Sequence, residues 1–499
     1  MLSDIKLEEE IAAIDLLGPE PSDEHSRELY YMGKLRKLIA ERSDRIGRPL
    51  TACTVTFGCQ MNARDSEKLI GILIGSGFAP TESEDADFVI FNTCTVRDNA
   101  DQRTFGRLGR ISHLKKKNPM MKVAICGCMM QEPGNVEKVR KSYPFVDLIF
   151  GTHNIYRFAQ YLYEVYSSDR KVTQIWDKTD QIVENLPVER KYPYKSGINI
   201  MFGCDNFCSY CIVPYVRGRE RSREPREILR EAESLAADGV TEVMLLGQNV
   251  NSYGKGLENP IGFAELLNEV CKVEGLRRVR FMTPHPKDFS PDVIRVIKEN
   301  PKAARHVHLP LQSGSDRILR KMNRHYTKEQ FIELAQRIRR EIPDVSITTD
   351  IIVGFPGETA EDIEDTLDVI GRVGFDNAYT FIYSPRRGTP AARMENQVPP
   401  EEVKINFDKV LSAVQRNARM RSGALTGRVM EGLVEEVNSQ KEGYVTCRLS
   451  NNMIVHIPGD ASMIGNYLPV LLEECRGFYY FGRALEKGTE SKDRNEGNE

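Results

Sequence analysis

The sequence lacks the marks of a membrane protein, a secreted protein or a globally basic nucleic-acid-binding protein. No apolar run approaches the ~18 residues that suggest a membrane-spanning helix. The 69 Lys and Arg residues are balanced by 72 Asp and Glu residues, so the net charge is -3 and any contact with nucleic acid must come from local patches. The opening stretch MLSDIKLEEEIAAIDLLGPEPSDE has neither the basic start nor the apolar core of a signal peptide. We therefore expect a cytoplasmic protein with no membrane partner.

The cysteine usage argues against a disulfide framework. Eleven cysteines are present, an odd number, in a chain without a recognisable secretory signal. This pattern favours metal binding or redox chemistry. The length of 499 residues exceeds one ordinary core and predicts about two to four domains, and 40% hydrophobic with 28% charged residues is typical of a globular protein.

The patterning predicts a multidomain α/β protein that begins with a parallel sheet. Residues 1–50 are charged and helical in pattern, and we expect them to form a loosely attached, solvated extension. Residues 51–165 alternate short strands with helical stretches, as in CTVTFGC, ADFVIFNTC and MKVAICGCMMQ. Such alternation predicts an N-terminal parallel α/β sheet domain.

The rest of the chain predicts two further domains. Residues 166–194 lose periodicity and indicate a surface linker. Residues 195–420 contain about six strand-helix units, short of the eight of a full TIM barrel, and predict a partial (β/α)6 barrel with an open side. Residues 421–485 alternate apolar and polar residues between turns, which predicts a small all-β barrel. Residues 486–499 are polar, and we expect a disordered tail.

Three cysteines of the first domain follow strand-like runs. In TFGC, FNTC and ICGC, a cysteine stands two residues past the last predicted strand residue, namely Cys59, Cys94 and Cys128. Sites in parallel sheets form beyond the carboxyl ends of strands. Three cysteines in the same register favour a shared metal centre over three structural cysteines. Cys53 and Cys126 lie within strand-like runs and fit buried small hydrophobic residues.

A second trio has the spacing C-x3-C-x2-C and follows the first strand of the predicted partial barrel. It consists of Cys204, Cys208 and Cys211 in GCDNFCSYC. A structural zinc site needs a fourth Cys or His nearby, and the nearest downstream histidine is His285. An iron-sulfur cluster is normally held by four thiolates, so three would leave one iron open to another ligand.

This loop resembles the signature of the radical S-adenosylmethionine superfamily, with Tyr210 at its aromatic position. The resemblance implies a 4Fe-4S cluster whose open iron is chelated by the amino and carboxylate groups of S-adenosyl-L-methionine, and reductive cleavage to a 5′-deoxyadenosyl radical. It also implies cofactor-binding residues: Tyr210 against the adenine, Gln248 toward the amino group, and Ser313, Asp350 and Gly354 at later strand ends. A polar residue at a strand end is otherwise a common turn former.

The chain as a whole resembles the radical S-adenosylmethionine methylthiotransferase family from about residue 51 to residue 485. The motifs are TFGCQMN, NTCTVRDNA, CGCMMQ, GCDNFCSYCIVPYVRGRERSR and HLPLQSGSDRILRKMNRHYT. The resemblance implies that Cys59, Cys94 and Cys128 bind a second 4Fe-4S cluster, which holds or supplies the inserted sulfur. It also implies a C-terminal RNA-binding TRAM barrel at residues 421–485. One S-adenosylmethionine would donate a methyl group and another would be cleaved to the radical.

The first two motifs are similar to those of the subfamily that modifies isopentenyladenosine (MiaB type). That subfamily acts at position 37 of tRNA, next to the anticodon. The C2–H bond of adenine is unactivated, so a general base would not suffice and a radical is the suitable chemistry. The implied partners are tRNA bearing isopentenyladenosine and a reducing electron donor, and a monomer is expected. The other subfamilies act on threonylcarbamoyladenosine in tRNA or on a ribosomal-protein aspartate.

A basic run beside the cysteine loop offers candidate RNA contacts. Arg217, Arg219, Arg221 and Arg223 lie in YVRGRERSREPR, next to the predicted site, where they could bind tRNA phosphates or the cofactor. The alternative is an ordinary solvated loop. A second basic run, RKMNRHY, is a weaker candidate. In the last predicted barrel, the aromatics of GFYYFGR either stack on bases or, more simply, fill the core.

A different class of function is also compatible with part of the pattern. A non-catalytic RNA-binding protein could hold structural metal in its cysteine trios. Two trios that each leave a coordination position open are poor structural sites, so the sequence favours the enzyme.

Overall fold

The computed structural model describes residues 2–95 and 98–485. The tail at residues 486–499, expected to be disordered, lies outside the described residues. The first two helices are α1 (Leu2–Ala13) and α2 (Glu24–Ile46). Helix α2 buries Met32, Leu35 and Ile39 completely on one face, against the core of the first sheet. The expectation of a loosely attached extension is therefore wrong for α2, because its apolar spacing of three to four residues forms one continuous face.

The first sheet has six parallel strands in the order β2-β1-β3-β4-β5-β6. Its strands are β1 (Thr51–Thr56), β2 (Ala79–Pro80), β3 (Phe88–Thr93), β4 (Lys122–Gly127), β5 (Leu148–Phe150) and β6 (Val172–Gln174). Its helices are α3 (Gln60–Gly75), α4 (Asp98–Lys117), α5 (Pro133–Ser142) and α6 (Phe158–Ser168). Every residue of β3 and β4 is buried because helices cover both faces of the sheet. The predicted parallel α/β sheet is confirmed.

The first cysteine trio lies at the carboxyl edge of this sheet, in a register that differs from the expected one. Cys94 and Cys128 directly follow β3 and β4, whereas Cys59 lies three residues beyond β1. The two-residue offset expected for all three was wrong, because β3 and β4 extend closer to their cysteines. Cys53 and Cys126 lie inside β1 and β4, are 3% and 0% exposed, and pack in the cores on opposite faces of the sheet.

The second domain is a partial barrel, as predicted. Two sheets, β7-β10-β11 and β12-β13-β14, are parallel throughout, and the bridge between Val279 and Ala303 joins their edges. The strands, including a short antiparallel ribbon of β8 and β9, are β7 (Lys195–Asn199), β8 (Met201–Phe202), β9 (Arg221–Ser222), β10 (Glu242–Leu246), β11 (Arg278–Phe281), β12 (His306–His308), β13 (Ser346–Val353) and β14 (Asn377–Ile382). The helices are α7 (Val213–Val216), α8 (Pro225–Ala237), α9 (Phe263–Lys272), α10 (Pro291–Glu299), α11 (Asp316–Lys321), α12 (Lys328–Glu341), α13 (Ala360–Val373) and α14 (Pro400–Gly423).

The last domain is a closed barrel of five strands in the order β15-β16-β17-β19-β18. The strands are β15 (Val429–Val437), β16 (Tyr444–Leu449), β17 (Ile454–Pro458), β18 (Tyr467–Cys475) and β19 (Tyr479–Ala484). Of the aromatics in GFYYFGR, Tyr480 fills the core at 0% exposure, whereas Phe478 is 47% exposed. Phe478 precedes β19, and within the strand alternation places Tyr480 in the core and half-buried Tyr479 and Phe481 on the other face.

The last barrel packs against the amino-terminal edge of the partial barrel. Arg280 in β11 donates to Leu449 O at 2.8 Å and Ser450 O at 3.2 Å, and Arg278 donates to Arg448 O at 3.1 Å. Because the carboxyl edge carries the cysteine loop, the last barrel closes the opposite end. Within residues 2–95 and 98–485, none of the helices combines the length and apolar character needed to cross a bilayer.

Candidate active site

The three cysteines of the first sheet converge around Asn62, near the start of α3. Its Oδ1 lies 3.7 Å from Cys59 Sγ and 3.9 Å from Cys128 Sγ. The amide nitrogen of Asn62 donates to Phe57 O at 3.0 Å and Thr93 O at 2.8 Å, so Asn62 also ties together the ends of β1 and β3. This side chain therefore fixes the loops that carry the sulfur atoms.

Gly58 allows Cys94 to approach the same point. Its φ of +122° lies in the region that favours glycine. A Cβ at this position would lie 2.4 Å from Cys94 Cβ and 2.9 Å from Cys94 Sγ. Any larger residue would separate Cys94 from the other two thiols.

The second trio lies in the hairpin-like loop closed by β8 and β9. Within it, Cys211 N donates to Cys208 O at 2.9 Å, and Cys204 N donates to Gly218 O at 3.2 Å. Phe207 adopts a φ of +45°, which turns the chain tightly between the first two cysteines. Backbone contacts therefore hold the three cysteines in one compact loop.

The two trios face each other across the interface between the first two domains. Ile212 and Val216, which follow Cys211, pack directly against Cys128. Arg217, next along the chain, donates from Nε to Cys128 Sγ at 3.2 Å. The same guanidinium donates to Asn62 Oδ1 at 2.9 Å and pairs with Asp65 at 2.8 Å. A buried hydrogen-bond network thus connects the end of the second trio's loop with the first trio.

Burial sets the protonation of the thiols. It raises the pKa of Cys128 to about 12, partly opposed by Arg217, while Cys94 and Cys59 add a further rise. It likewise raises the pKa of Cys211 to about 12 and of Cys204 to about 11. Free thiols at these positions are neutral at pH 7. Bound iron would deprotonate them, because metal ligation stabilises the thiolate.

The buried cations test whether such clusters fit. Arg324 is 5% exposed and donates to Cys208 Sγ at 3.5 Å and to Pro310 O at 2.9 Å. Within residues 2–95 and 98–485, no carboxylate lies within 4 Å of its guanidinium. A buried cation needs an anionic partner, and cluster-bound thiolates supply that charge. The side chains around the second trio therefore fit an anionic iron-sulfur cluster, and at the first trio buried Arg217 supplies a cation beside Cys128.

Among the residues that the structure describes, no three His, Cys, Asp or Glu side chains converge closely enough to bind one metal ion.

Two of the expected cofactor-binding residues lie on the second trio's side of the barrel. Tyr210 packs against the cluster of Ile318, Met322 and Phe355. Gln248 lies two residues beyond β10, and its amide nitrogen contacts Met61 Sδ, on the helix that follows Cys59. Its Oε1 is buried without a protein partner among the described residues, as expected for a group that receives a ligand hydrogen bond.

The other three expected cofactor contacts are less uniform in position. Ser313 is completely buried, five residues past β12, and its Oγ accepts a hydrogen bond from Ser315 N at 3.3 Å. Asp350 lies inside β13, not at its end, and its carboxylate is 3.2 Å from His308 Nε2. Gly354 directly follows β13, and its amide donates to Glu358 at 2.6 Å. Their roles in cofactor binding stay predictions.

The four arginines that were expected to bind RNA lie in different environments. Arg217 is buried in the network beside Cys128, and Arg223 is buried between Glu184 and Glu231 at 2.7 Å or less. Half-buried Arg221 donates to Thr179 O at 2.7 Å. These three guanidiniums are engaged by the protein.

Arg219 differs from the other three because its side chain is 74% exposed. It pairs with Asp205 at 2.7 Å. The run therefore does not present four arginines to a phosphate, and Arg219 is the member with the exposure that RNA contact requires.

Sequence reasoning missed two of the buried residues that contact the cysteines of the trios. Asn62 lies in the first cysteine motif and Arg324 in the weaker basic run, but neither was assigned to a cluster. Motif letters gave no sign that Arg217 points away from solvent. The missing information was the packing of α7 against Cys128, which joins segments far apart in the chain.

Comparison with known families covers all three domains. A family model described as the radical SAM superfamily matches residues 198–370. A model described as the uncharacterised protein family UPF0004 matches residues 51–151, and a TRAM domain model matches residues 423–485. The fold class expected from the sequence is thereby confirmed.

Curated relatives resemble the chain over nearly its whole length. A tRNA-2-methylthio-N(6)-dimethylallyladenosine synthase of Lachnoclostridium phytofermentans is 58% identical over 90% of this chain and 98% of the relative. Synthases of the same name from Clostridium perfringens and Clostridioides difficile are 50% and 48% identical, over 87% and 90% of this chain and 97% and 94% of theirs.

A solved structure supports the same fold. The radical S-adenosylmethionine methyltransferase TsrM of Kitasatospora setae, with cobalamin and a [4Fe-4S] cluster bound, matches with a TM-score of 0.50. The match has 17% identity and covers 68% of this chain and 77% of TsrM.

Proposed function

The chain belongs to the family of tRNA-2-methylthio-N(6)-dimethylallyladenosine synthases, and we propose that it replaces C2–H of N6-isopentenyl(dimethylallyl)adenosine at position 37 of tRNA with a methylthio group. It is a radical S-adenosylmethionine enzyme that uses two 4Fe-4S clusters and S-adenosyl-L-methionine. The observation that carries the proposal is the pair of three-cysteine sites facing each other across the domain interface.

Each trio has its own part in the proposed reaction. We assign Cys204, Cys208 and Cys211 as ligands of the cluster that binds S-adenosylmethionine. Cys59, Cys94 and Cys128 hold the cluster associated with sulfur insertion. When bound, these groups supply the radical that attacks the unactivated C2–H bond and the sulfur that replaces the hydrogen.

The chain's own residues position these groups and exclude water. Arg217 fixes the loop after the second trio against Cys128, so that the two sites keep one relative position. Ile212 and Val216 form an apolar contact there, which limits the entry of solvent between the sites. The amide nitrogen of Gln248 contacts Met61 Sδ, and its Oε1, unpaired among the described residues, is available to orient a bound amino group.

We also propose the remaining partners and the setting. A low-potential electron donor reduces the cluster at Cys204, and the enzyme works as a cytoplasmic monomer. The linker expected at residues 166–194 is shorter than that, because α6 continues to Ser168 and β6 (Val172–Gln174) pairs with β5 in the first sheet. We therefore assign residues 1–50, of which α2 packs on that sheet, and the chain up to β6 to the first domain, and residues 421–485 to the TRAM barrel. Tyr210, Ser313, Asp350 and Gly354 remain candidate contacts of S-adenosylmethionine.

The test is reconstitution followed by mass spectrometry of tRNA nucleosides. The protein is loaded anaerobically with iron and sulfide and incubated with reductant, S-adenosylmethionine and tRNA bearing isopentenyladenosine. We expect the methylthio nucleoside, about eight irons per chain and formation of 5′-deoxyadenosine. Cys204→Ala should lose the product and about four irons. Cys475→Ala, a cysteine of the last barrel outside both trios, is the matched control and should lose neither.

Alternative substrates give distinct outcomes. Product on threonylcarbamoyladenosine tRNA alone would reject the isopentenyl assignment while retaining the reaction class. Formation of 5′-deoxyadenosine without modification of either tRNA would point to the ribosomal-protein substrate. Bound zinc, with no response to S-adenosylmethionine, would support the non-catalytic RNA-binding alternative.

A further inference from the structure

Helix α4 carries a row of basic side chains on its solvent face. Exposed basic residues recur every three or four positions at Arg103, Arg107, Arg110, His113 and Lys117, and this helical spacing places the five on one side of the helix. Together with exposed Lys116, next to Lys117, we call them the α4 stripe. From Arg103 to Lys117 the row is about 21 Å long at 1.5 Å per residue.

Among the side chains that the structure describes, at residues 7–95 and 102–485, most of this charge has no counter-charge. Arg107 pairs with Glu84 at 2.8 Å. Within those same ranges, no carboxylate within 4 Å pairs with Arg103, Arg110, Lys116 or Lys117. Lysines in a last turn often serve only to offset the helix dipole. The helix dipole does not explain Arg103 and Arg110, which lie well before the last turn of the helix.

Two glycines of α4 leave the helix backbone uncovered by side chains between the arginines. A Cβ at Gly106 or Gly109 would meet no atom within 4 Å, so neither glycine is required by packing inside the protein. Glycine in a helix interior costs about 1 kcal/mol relative to alanine. Retaining two of them between arginines suits the close approach of an extended ligand to the helix backbone.

The stripe begins beside the site. Helix α4 starts at Asp98, shortly after Cys94, one of the three cysteines of the first trio. The row of charges then runs from that edge of the sheet toward the start of β4 at Lys122. A chain whose target base enters the site can therefore continue along α4.

We propose that the α4 stripe binds the phosphodiester backbone of the tRNA substrate. This inference rests on the proposed function and adds a binding surface to it. A single row of cations with open gaps matches the regular negative charge of one RNA strand. Between residues 102 and 117 the only other exposed residues of α4 are Gln102 and Gly106, so this face has no exposed large apolar side chain to form the centre of a protein–protein interface, and RNA is favoured over an acidic protein partner.

The test compares two variants with the same loss of charge. One carries Arg103→Gln, Arg110→Gln and Lys117→Gln. The control carries Arg295→Gln, Lys298→Gln and Arg340→Gln, three exposed basic residues on helices of the partial barrel. The probe is tRNA bearing isopentenyladenosine, titrated against reconstituted holoenzyme at several salt concentrations. Iron content and circular dichroism verify that each variant is folded and loaded.

The stripe variant should bind tRNA on the order of 10- to 100-fold more weakly near 0.1 M salt, and its slope of log affinity against log salt should be smaller by about 2 to 3. Its KM for tRNA should rise with kcat at saturation unchanged, because phosphate contacts do not touch the reacting atoms. The control should match the wild type in affinity and slope.

Two results would overturn the inference. One is equal affinity and salt slope in stripe variant, control and wild type. The other is unchanged tRNA binding with slower reduction by an acidic flavoprotein donor, which would assign the stripe to a protein partner. If the wild type instead makes no methylthio product while the stripe variant still loses affinity and slope, the proposed function fails and the stripe proposal stands.

Discussion

Each cysteine trio has one buried arginine against one of its sulfur atoms, and the two arginines differ in counter-charge. Arg217, at Cys128, also pairs with buried Asp65 at 2.8 Å. Among the described residues, the other hydrogen-bond partners of Arg324, at Cys208, are neutral oxygens, in Pro310 and Tyr326. A cluster held by Cys208, as we propose, would have its more negative, reduced state favoured by the uncompensated charge of Arg324. This charge would therefore favour electron delivery to the site proposed for S-adenosylmethionine.

Replacing Arg324 with methionine should make that cluster harder to reduce. We expect its midpoint potential to fall by about 60 mV, equivalent to roughly 1.4 kcal/mol for one electron. A reductive titration followed by electron paramagnetic resonance measures the shift. Arg324→Lys keeps the charge and should restore most of the potential. An unchanged potential in Arg324→Met would show that the guanidinium does not act on the cluster electrostatically.

Glu358 makes the stability of the barrel dependent on pH. Burial raises its pKa to about 7, above the ordinary value of 4.5, so the folded protein binds the proton more tightly than the unfolded chain. Its contribution to stability is complete below pH 4.5 and is lost as the pH rises through 7. Glu358→Gln stays neutral and can still accept the hydrogen bond from Gly354.

Thermal unfolding at two pH values tests this dependence. At pH 8, Glu358→Gln should have a higher melting temperature than the wild type, with a free energy of unfolding larger by up to about 3 kcal/mol. At pH 5 the two proteins should have the same melting temperature. Glu361→Gln, an exposed neighbour on α13, is the control and should change little at pH 8. A variant that is less stable than the wild type at pH 8 would contradict the assigned cause.

Residue identity allowed the six cysteines to be found, but not the environment of the arginines. The trios have fixed spacing or follow strand ends, which local patterns reveal. Arg217, Arg219 and Arg223 are alike as letters, yet one contacts Cys128, one is exposed and one is buried between two glutamates. These contacts are with residues between 8 and 89 positions away along the chain, and the spacing of the arginines does not reveal them.

At the scale of elements, the strands of both α/β domains were predictable, because buried β-branched runs alternate with amphipathic helices. Helix α2 was recognised as helical, but its packing was not, since its many charged residues suggested solvent on all sides. The row Met32, Leu35 and Ile39 was the available signal. The α4 stripe was missed because its charges are spread at helical spacing and do not form a continuous run.

Two helical glycines should respond oppositely to alanine. Gly106 in α4 has open space around it, so Gly106→Ala should stabilise the protein by about 0.5–1 kcal/mol. Gly71 in α3 packs against the linker, and a Cβ there would lie 2.6 Å from Pro187 C. Gly71→Ala should therefore destabilise the first domain. Urea denaturation of the two variants measures the difference, and an equal response would show that local helix propensity alone controls both sites.

At the scale of the whole molecule, the three domains are joined by buried charge. The first domain is held to the partial barrel by Arg64, which pairs with Glu231 at 2.6 Å. The last barrel is held by Arg278 and Arg280, whose guanidiniums lie beside the buried carboxylate of Glu242. The chain length indicated several domains, but it contained no information on which edge of one domain packs against which edge of another. The closed arrangement places the two trios together at one end and the last barrel at the other.

Removing Arg280 should loosen the last barrel, because its guanidinium is 2% exposed and supplies hydrogen bonds to two carbonyls of that barrel. Arg280→Met loses these bonds and leaves Glu242 with one cation fewer, at a cost of about 3 kcal/mol. We expect faster proteolytic cleavage near residues 423–429 with iron content unchanged. Arg277→Ala is the control, because Arg277 also crosses this interface but forms no ion pair with Glu242. It forms a half-exposed pair with Glu431, worth about 0–1 kcal/mol, and its guanidinium lies 4.2 Å from the centre of the Tyr467 ring, worth about 0.5–1 kcal/mol. Equal cleavage rates in the two variants would mean that the buried network does not hold the domains together, and that the apolar contacts of the interface do.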